Sequence, residues 1–269
     1  MRANKNGRLK AALTLLRIAP LIVFLCLWEI AARRIERGVF YYGSPSSVAE
    51  LLLAKLADGS LIRHTWVTLY EVIVGFFFGN VIGIIAGLAL CYRPGISQIM
   101  RPYIFLVGSI PILALAPIMV IWFGIGLFAK IVIVALSTVV VATVQAFEGG
   151  INTSPDLIEL LNSQGASRFT TFRKVVVPSS FLWLFAGLKL NVGFAILGAC
   201  VGEFIASDAG LGHMIFESMG LFNTPALLVG VVMICFISIL LTTVVGILQR
   251  KVMPWRFKRG EHDFYGEAF

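Results

Sequence analysis

Residues 66–92 read WVTLYEVIVGFFFGNVIGIIAGLALCY, and Glu71 is the only charged side chain among them. A helix needs about 20 mostly apolar residues to cross the hydrocarbon layer of a bilayer, so this stretch predicts a transmembrane helix. Five further stretches have the same character: 13–32, 103–125, 127–147, 181–206 and 226–248. The sequence therefore predicts an all-α polytopic membrane protein with six transmembrane helices.

The composition supports this fold class and excludes others. The chain is 58% hydrophobic and 13% charged, whereas soluble domains carry about 25% charged residues. These values exclude a soluble enzyme, a disordered chain and a nucleic-acid-binding module. The predicted organisation is a basic segment at 1–12, a transmembrane domain at 13–255 and a tail at 256–269.

The orientation follows from the Lys and Arg residues behind the net charge of +8, because cytoplasmic loops carry an excess of them. Most lie on the side that both termini share, and the basic residues within 33–37 are the main exception. The basic N-terminus resembles a signal peptide, but Arg17 interrupts the apolar run and residues 29–33 form a poor cleavage site. We therefore expect an uncleaved first helix, both termini in the cytoplasm, and a location in the cell membrane.

The outer loop before the second span contains a helix start. Ser44 can cap a helix and Pro45 fits its first turn. Residues 48–58 then alternate apolar and charged side chains at helical spacing. We expect a short amphipathic helix with a packing role.

The long loop at 148–180, predicted to face the cytoplasm, contains a first short helix. Gly149-Gly150 is expected to end the fourth span, and Ser154-Pro155 to begin the new helix. Residues 157–161 give it an apolar face.

A second helical piece follows in the same loop. Gly165 is expected to interrupt the first helix, and Pro178 to end the second, which spans about 167–176. Its aromatic and basic faces need a surface on which to pack. That surface is either this chain itself or a cytoplasmic partner protein.

This loop resembles a known motif. Glu159, Gly165 and Pro178 have the spacing Glu-x5-Gly-x12-Pro, with aliphatic residues before the proline. The pattern is similar to the EAA loop of the membrane subunit of ATP-binding-cassette (ABC) importers. Leu160-Leu161 stands where that family has Ala-Ala; both residue types favour helix, although the fit to a partner groove can differ.

Other stretches resemble a subgroup of these permeases that serves sulfonates, taurine, nitrate and related small solutes. They are SPS (44–46), WFGIG (122–126), GASR (165–168), GEFIA (202–206) and GLG (210–212). The resemblance implies a type I ABC importer permease fold and a homodimer of this chain. It also implies two cytoplasmic ATPase subunits and an extracytoplasmic solute-binding protein as partners.

The resemblance also implies roles for residues in the loop. The segment that contacts the ATPase would contain Glu159, Gly165, Ala166, Arg168, Phe172 and Pro178. No GxxxxGK[ST] phosphate-binding loop occurs in the sequence. We therefore expect no cofactor on this chain and ATP hydrolysis on the partner subunit.

Glycines recur every four residues in the second span, at Gly75, Gly79, Gly83 and Gly87. They form one smooth face that another helix can approach closely. The approaching helix belongs either to the same chain or to a second copy, and the sequence leaves both alternatives open.

Polar residues and a proline inside the spans are candidates for the solute path. Pro111 frees a backbone carbonyl, which is tolerated only within protein or along a wet path. Ser109 and Pro111 on the third span, and Ser137 and Thr138 on the fourth, are therefore candidate lining residues. Ser and Thr can instead bond to their own helix backbone.

Charged residues near the predicted outer ends of three spans form a second candidate set. A charge at the bilayer centre costs on the order of 3 kcal/mol by insertion scales. We therefore expect Lys130 to pair with Glu71 or Glu203 near the external mouth. The pair would be either structural or part of a gate.

Two rival classes remain to be weighed. An intramembrane enzyme is disfavoured because no GxSxG or HExxH motif occurs, and the three histidines lie in loops or the tail. A secondary, ion-coupled carrier or a channel without an ATPase partner is the alternative function. It would leave the helical loop at 148–180 unexplained.

Overall fold

The structure is a computed structural model that describes residues 2–254, and every regular element in that range is helical. In chain order the helices are α1 (Arg2–Arg34), α2 (Gly38–Tyr42), α3 (Pro45–Ala57), α4 (Ser60–Cys91), α5 (Pro94–Gly108), α6 (Ile112–Phe123), α7 (Leu127–Ile151), α8 (Pro155–Ser163), α9 (Arg168–Thr171), α10 (Val177–Ala206), α11 (Leu211–Gly220) and α12 (Thr224–Val252). A π-helical turn, Phe172–Val176, lies between α9 and α10. Residue 255, the predicted end of the transmembrane domain, and the predicted tail at 256–269 lie outside the described residues.

The chain divides into two compact units. One comprises the described residues up to His64 together with Met214–Met233. The other comprises Thr65–His213 together with the described residues from Ile234 onward.

The first unit contains α1, α2 and α3. The predicted helix start at Ser44 is confirmed: the Ser44 side chain accepts a hydrogen bond from the Ser47 N–H, and Pro45 is in the first turn. The Glu29 carboxylate of α1 accepts hydrogen bonds from the Ser46 N–H and hydroxyl, at 3.0 and 2.8 Å. Between α3 and α4, the neighbouring Ser60, whose N–H donates to the Asp58 carboxylate at 2.8 Å, holds the pKa of that carboxyl below its usual value.

The second unit is built around α7. Helices α4, α5, α6 and α10 all contact it, and α10 does so most extensively. Ala116 and Met119 of α6, Ile133 of α7 and Val201 of α10 form a buried apolar cluster. Burial of these side chains fixes α6, α7 and α10 against one another.

The predicted spans correspond to α1, α4, α5 with α6, α7, α10 and α12. Among the described residues, four helices are long and apolar enough to cross a membrane: Ser60–Cys91, Leu127–Ile151, Arg168–Ala206 and Thr224–Val252. Large apolar side chains on them are exposed, such as Ile85 (64%) and Ile239 (68%). Lipid tails are the medium in which such surfaces are stable.

The third span is not one continuous helix, which corrects the prediction for 103–125. Helix α5 ends at Gly108 and α6 begins at Ile112. Pro111 has an extended backbone, and a proline disfavours the helical conformation of the residue before it. Pro102 and Pro117 lie inside α5 and α6, so Pro111 is the proline that interrupts the span.

The prediction that Gly149-Gly150 ends the fourth span is wrong, because α7 continues to Ile151 and both glycines are buried. A Cβ on Gly149 would lie 2.9 Å from the Trp183 Cβ, and one on Gly150 would lie 2.6 Å from the Cys91 Sγ. The two glycines therefore permit close contact with α10 and α4.

The prediction that Pro178 ends a helix is also wrong. Residues from Arg168 to Ala206 form one continuous helical run, and Pro178 lies in the first turn of α10. The π turn changes the hydrogen-bond register just before Pro178, with the Val177 N–H donating to the Phe172 carbonyl. Pro178 has no N–H to donate, but it lies where the hydrogen-bond pattern changes from π to α. Its missing donor therefore does not interrupt a regular series of helical hydrogen bonds.

Candidate functional site

Helices α8 and α9 and the turn that joins them, residues 155–171, are called here the loop segment. The turn is a Schellman motif: Gly165 N–H donates to the Asn162 carbonyl, and Ala166 N–H to the Leu161 carbonyl, both at 3.0 Å. Gly165 has φ +74°, a conformation that side chains with a Cβ rarely adopt. The predicted interruption at Gly165 is confirmed, and Ser167 then caps α9 by accepting from the Thr170 N–H.

The loop segment exposes its apolar side chains. Helix α8 buries none of its residues. Leu157, Leu160 and Phe169 are 46, 54 and 60% exposed, and Glu159 is exposed on the opposite side of α8. An amphipathic helix with its apolar face uncovered is typical of a docking element.

An aromatic contact joins the end of α4 to the residues that follow the loop segment. The rings of Tyr92 and Phe172 meet edge to face, with centroids 5.1 Å apart. The Arg168 guanidinium lies 5.4 Å from the centre of the Tyr92 ring. The loop motif predicted Arg168 and Phe172 but not Tyr92, whose only sequence signal is that it is an aromatic residue at the end of an apolar run.

A cavity of about 270 Å³ lies at the break between α5 and α6. The candidates Ser109, Pro111 and Ser137 all line it, together with apolar residues of α7 and α10. The Ser137 hydroxyl donates to the Ile133 carbonyl of its own helix at 2.8 Å, so only its acceptor capacity faces the cavity. This space is called the path cavity below.

Thr138 does not line the path cavity. It is fully buried, and its hydroxyl lies 3.2 and 3.1 Å from the carbonyls of Val134 and Ala135 on its own helix. Its carbonyl accepts a hydrogen bond from Asn191 of α10, which also donates to Asn80 of α4 at 2.6 Å. These two buried amides were not among the predicted residues; their sequence signal is an asparagine within an apolar span.

The four spaced glycines of α4 pack against α7 of the same chain. A Cβ on Gly75 would lie 2.5 Å from the Val134 Cβ, and one on Gly83 would lie 2.6 Å from the Ala142 Cβ. Gly79 and Gly87 make similar approaches, to Thr138 and Ala146. Close packing within one subunit, one of the two predicted alternatives, therefore accounts for this face.

Glu71, Lys130 and Glu203 form a buried set that is called here the ionic cluster. The predicted pairing is present, since the Lys130 Nζ forms an ion pair with Glu71. Glu71 and Glu203 are 0 and 1% exposed, and Lys130 is 5% exposed. None of the three lines the path cavity.

Glu203 also holds the first residues of α11. Its carboxylate accepts from the Thr68 hydroxyl at 2.6 Å and from the Gly212 N–H at 2.5 Å. The Leu211 N–H donates to the Thr68 oxygen at 2.7 Å. A Cβ on Gly212 would lie 2.8 Å from a Glu203 oxygen. The close approach of this carboxylate therefore explains the glycine at the end of the GLG stretch, 210–212.

In the part of the chain that the structure describes, no group of three or more His, Cys, Asp or Glu side chains is arranged to hold a metal ion.

Comparison with known proteins agrees with these features. A model of the family "Binding-protein-dependent transport system inner membrane component" matches residues 79–258. The riboflavin transport system permease protein RibX of Chloroflexus aurantiacus is 31% identical, over 87% of this chain and 88% of RibX. The taurine transport system permease protein TauC of Escherichia coli K12 is 30% identical, over 89% of each chain.

A solved structure shows the same fold. An inward-facing form of the MetNI methionine ABC transporter matches with a TM-score of 0.64 at 22% identity, over 74% of this chain and 98% of the other. Taken with the family match over two thirds of the sequence, the exposed loop helices and the apolar spans, this shows that the chain belongs to the family of binding-protein-dependent transport system inner membrane components, as the permease subunit of an ABC importer.

Proposed function

We propose that this permease subunit carries a small organic solute, with sulfonates such as taurine as the first candidates. It would work as a homodimer with two cytoplasmic ATPase subunits and receive the solute from an extracytoplasmic binding protein. ATP would be hydrolysed on the ATPase subunits, and this chain would hold no cofactor.

The observation that carries the ATPase coupling is the exposure of the loop segment. Leu157, Leu160 and Phe169 present apolar surface outside the predicted spans, where water is the alternative contact. Burying them against a partner removes this surface from water, which stabilises the contact by about 25 cal/mol per Å² of apolar surface buried. The Schellman turn at Gly165 fixes the angle between α8 and α9, so the segment can transmit a rigid-body motion.

The route of that motion within this chain runs through the helical run Arg168–Ala206. It begins within the loop segment, at α9, and passes the path cavity at Phe194, Leu197 and Gly198. A displacement of the loop segment therefore reaches the cavity wall along one element. In this proposal both termini and the loop 148–180 lie in the cytoplasm, and residues 13–255 form the transmembrane domain.

The path cavity favours a solute with an apolar part. Its lining is apolar except for Ser109 and Ser137 and contains no basic side chain. Neither nitrate nor a sulfonate head group would find a countercharge there, but the carbon chain of an organic solute can pack against Val140, Val141 and Val201, which nitrate cannot do. A neutral heteroaromatic solute is a second candidate, because RibX is as similar to this chain as TauC is.

Co-purification tests the ATPase coupling. Leu160→Asp with Phe169→Asp should abolish recovery of the ATPase with the tagged permease while the yield of folded permease stays unchanged. Asn162→Asp is the control, since it adds one of these two negative charges on the opposite, exposed side of α8. Equal ATPase recovery in all three proteins would remove the loop segment as the coupling site and favour a carrier or channel.

Uptake into vesicles tests the solute. Vesicles containing the permease, its ATPase and its binding protein should accumulate taurine or a short alkanesulfonate when ATP is enclosed. Accumulation of riboflavin without sulfonate uptake would replace the first candidate with the second.

A further inference from the structure

The ionic cluster contains one more carboxyl group than it has cations. Glu71 and Glu203 face a single ammonium group, that of Lys130, and all three are at most 5% exposed. If both carboxyl groups were ionised, a net negative charge would remain in a region without bulk water. Such a charge is expensive to bury, and the usual relief is a bound proton.

The hydrogen bonds leave one carboxylate oxygen of the ionic cluster without a donor. Glu203 receives donors at both oxygens, from Thr68 and from Gly212. Lys130 is occupied by Glu71 and by the Ser207 hydroxyl, to which it donates at 2.9 Å. The Oε2 atom of Glu71 is buried and has no hydrogen-bond partner.

The other carboxyl group of the ionic cluster lies beside that of Glu71. Thr68, which donates to Glu203, is one helical turn before Glu71 on α4, and the two carboxyl side chains interact with each other. Two carboxylates offer each other no donor, because an ionised carboxyl group only accepts. One added proton supplies the missing donor and also removes the excess negative charge.

We propose that Glu71 and Glu203 form a proton-binding site in which the two carboxyl groups share one proton, with Lys130 as the counterion of the remaining negative charge. The proton belongs to the pair and not to one residue. With the proton bound, two carboxyl groups and one ammonium carry no net charge, and Glu71 Oε2 is no longer unpaired.

The site is linked to the corner between α10 and α11. Glu203 fixes Gly212 directly and Leu211 through Thr68. Loss of the proton would place two carboxylates side by side and weaken the attachment of residues 211–213. The occupancy of the site would therefore make this corner sensitive to pH.

Other titratable groups near the site serve as controls. Cys200 lies one helical turn before Glu203 on α10, and its thiol also interacts electrostatically with Glu71 of α4. His213 follows Gly212 on α11 and is half-buried, and Asp208 is exposed after the end of α10. The hydrogen bonds that define the proposed site, from Thr68, Gly212 and Lys130, involve the side chain of none of these three residues.

Infrared spectroscopy of the purified permease tests the proposal directly and requires neither ATPase nor solute. Raising the pH should remove the carbonyl band of a protonated carboxylic acid from the wild-type spectrum. Glu71→Gln should abolish this change, because Glu203 then pairs with Lys130 as an ionised group. Asp208→Asn, His213→Gln and Cys200→Ser should retain it.

Thermal unfolding in detergent gives an independent readout. Carboxyl groups of the unfolded chain are ionised near neutral pH, so unfolding would release the shared proton and the midpoint should fall as the pH rises. Glu71→Gln should fold with wild-type yield, because the amide supplies a donor where the proton would lie, and should lose this pH dependence. An acid band or a pH dependence that is the same in wild type and Glu71→Gln would overturn the proposal, as would loss of folded Glu71→Gln protein.

Discussion

The loop segment and the ionic cluster are both rich in polar and charged residues, but they are stabilised in opposite ways. Every residue of α8 is at least partly exposed, and its turns are held by backbone hydrogen bonds. The ionic cluster is withdrawn from solvent, and its side chains are held by one another.

This difference separates the effects expected of mutations. A buried charge that loses its partner is left uncompensated, so removal of the single cation from the ionic cluster should first affect folding. An exposed side chain can exchange a lost contact for water, so changes in the loop segment should affect coupling while the fold is retained.

The largest effect is expected for Lys130→Met. Removing the ammonium leaves the two buried carboxyl groups without a cation, and breaking a buried pair costs about 3–5 kcal/mol. Folded yield after membrane extraction, measured by gel filtration, should fall severely. Lys189→Met is the matched control, because Lys189 is exposed on α10 and its loss should leave the yield unchanged.

The double variant Lys130→Met with Glu71→Gln sharpens the comparison. It removes the cation and one carboxyl group together, so part of the lost yield should return. If the single Lys130 variant folds normally but transports nothing, the cluster is a gate and not a structural element. If yield and transport fall in parallel, the gating role is removed.

A smaller loss is expected for Gly79→Ala. The added Cβ would overlap the Thr138 hydroxyl and lie 2.5 Å from the Ala135 carbonyl oxygen, and overpacking of this kind costs about 1–3 kcal/mol. The midpoint of thermal unfolding in detergent should fall. Gly246→Ala is the control, since nothing lies within 4 Å of a Cβ at that position of α12; an equal loss in both variants would contradict close packing of α4 on α7.

The sequence predicted the helices that depend on local patterns. The spans follow from apolar length, the start of α3 from Ser44 and Pro45, and the turn at Gly165 from the need for a positive φ. The pairing of Lys130 with Glu71 was also predictable, because few partners exist for a charge inside a span.

The predictions from sequence were wrong where a residue type can serve more than one structural purpose. Gly149 and Gly150 serve close packing inside α7 and do not end it. Pro178 is tolerated because a π turn precedes it, and a π turn has no simple sequence signal. The contact of Tyr92 with Phe172 joins residues far apart in the chain, so only the tertiary structure reveals it.

A further prediction concerns the turn of the loop segment. Gly165→Val forces a β-branched side chain into a left-handed conformation, which costs about 1–2 kcal/mol, whereas Gly165→Asn tolerates that conformation better. The valine variant should lose solute-driven ATP hydrolysis in the assembled complex with its folded yield retained, and the asparagine variant should keep most of it. Equal activity of the two variants would mean that the φ of +74° at Gly165 is not needed for coupling.

The smallest effect is expected at Tyr92, where the contact is partly exposed. Tyr92→Leu removes an edge-to-face pair with Phe172 and the ring under Arg168, worth together about 1–2 kcal/mol. Because this contact ties the residues after the loop segment to the end of α4, its loss should lower the number of solute molecules moved per ATP by a few fold without lowering ATPase recovery in co-purification. Tyr92→Phe keeps the ring and should behave as wild type. If the Tyr92→Phe and Tyr92→Leu variants are equally impaired, coupling depends on the Tyr92 hydroxyl group and not on the ring contact. The ring contact would then not be what connects the loop segment with the end of α4.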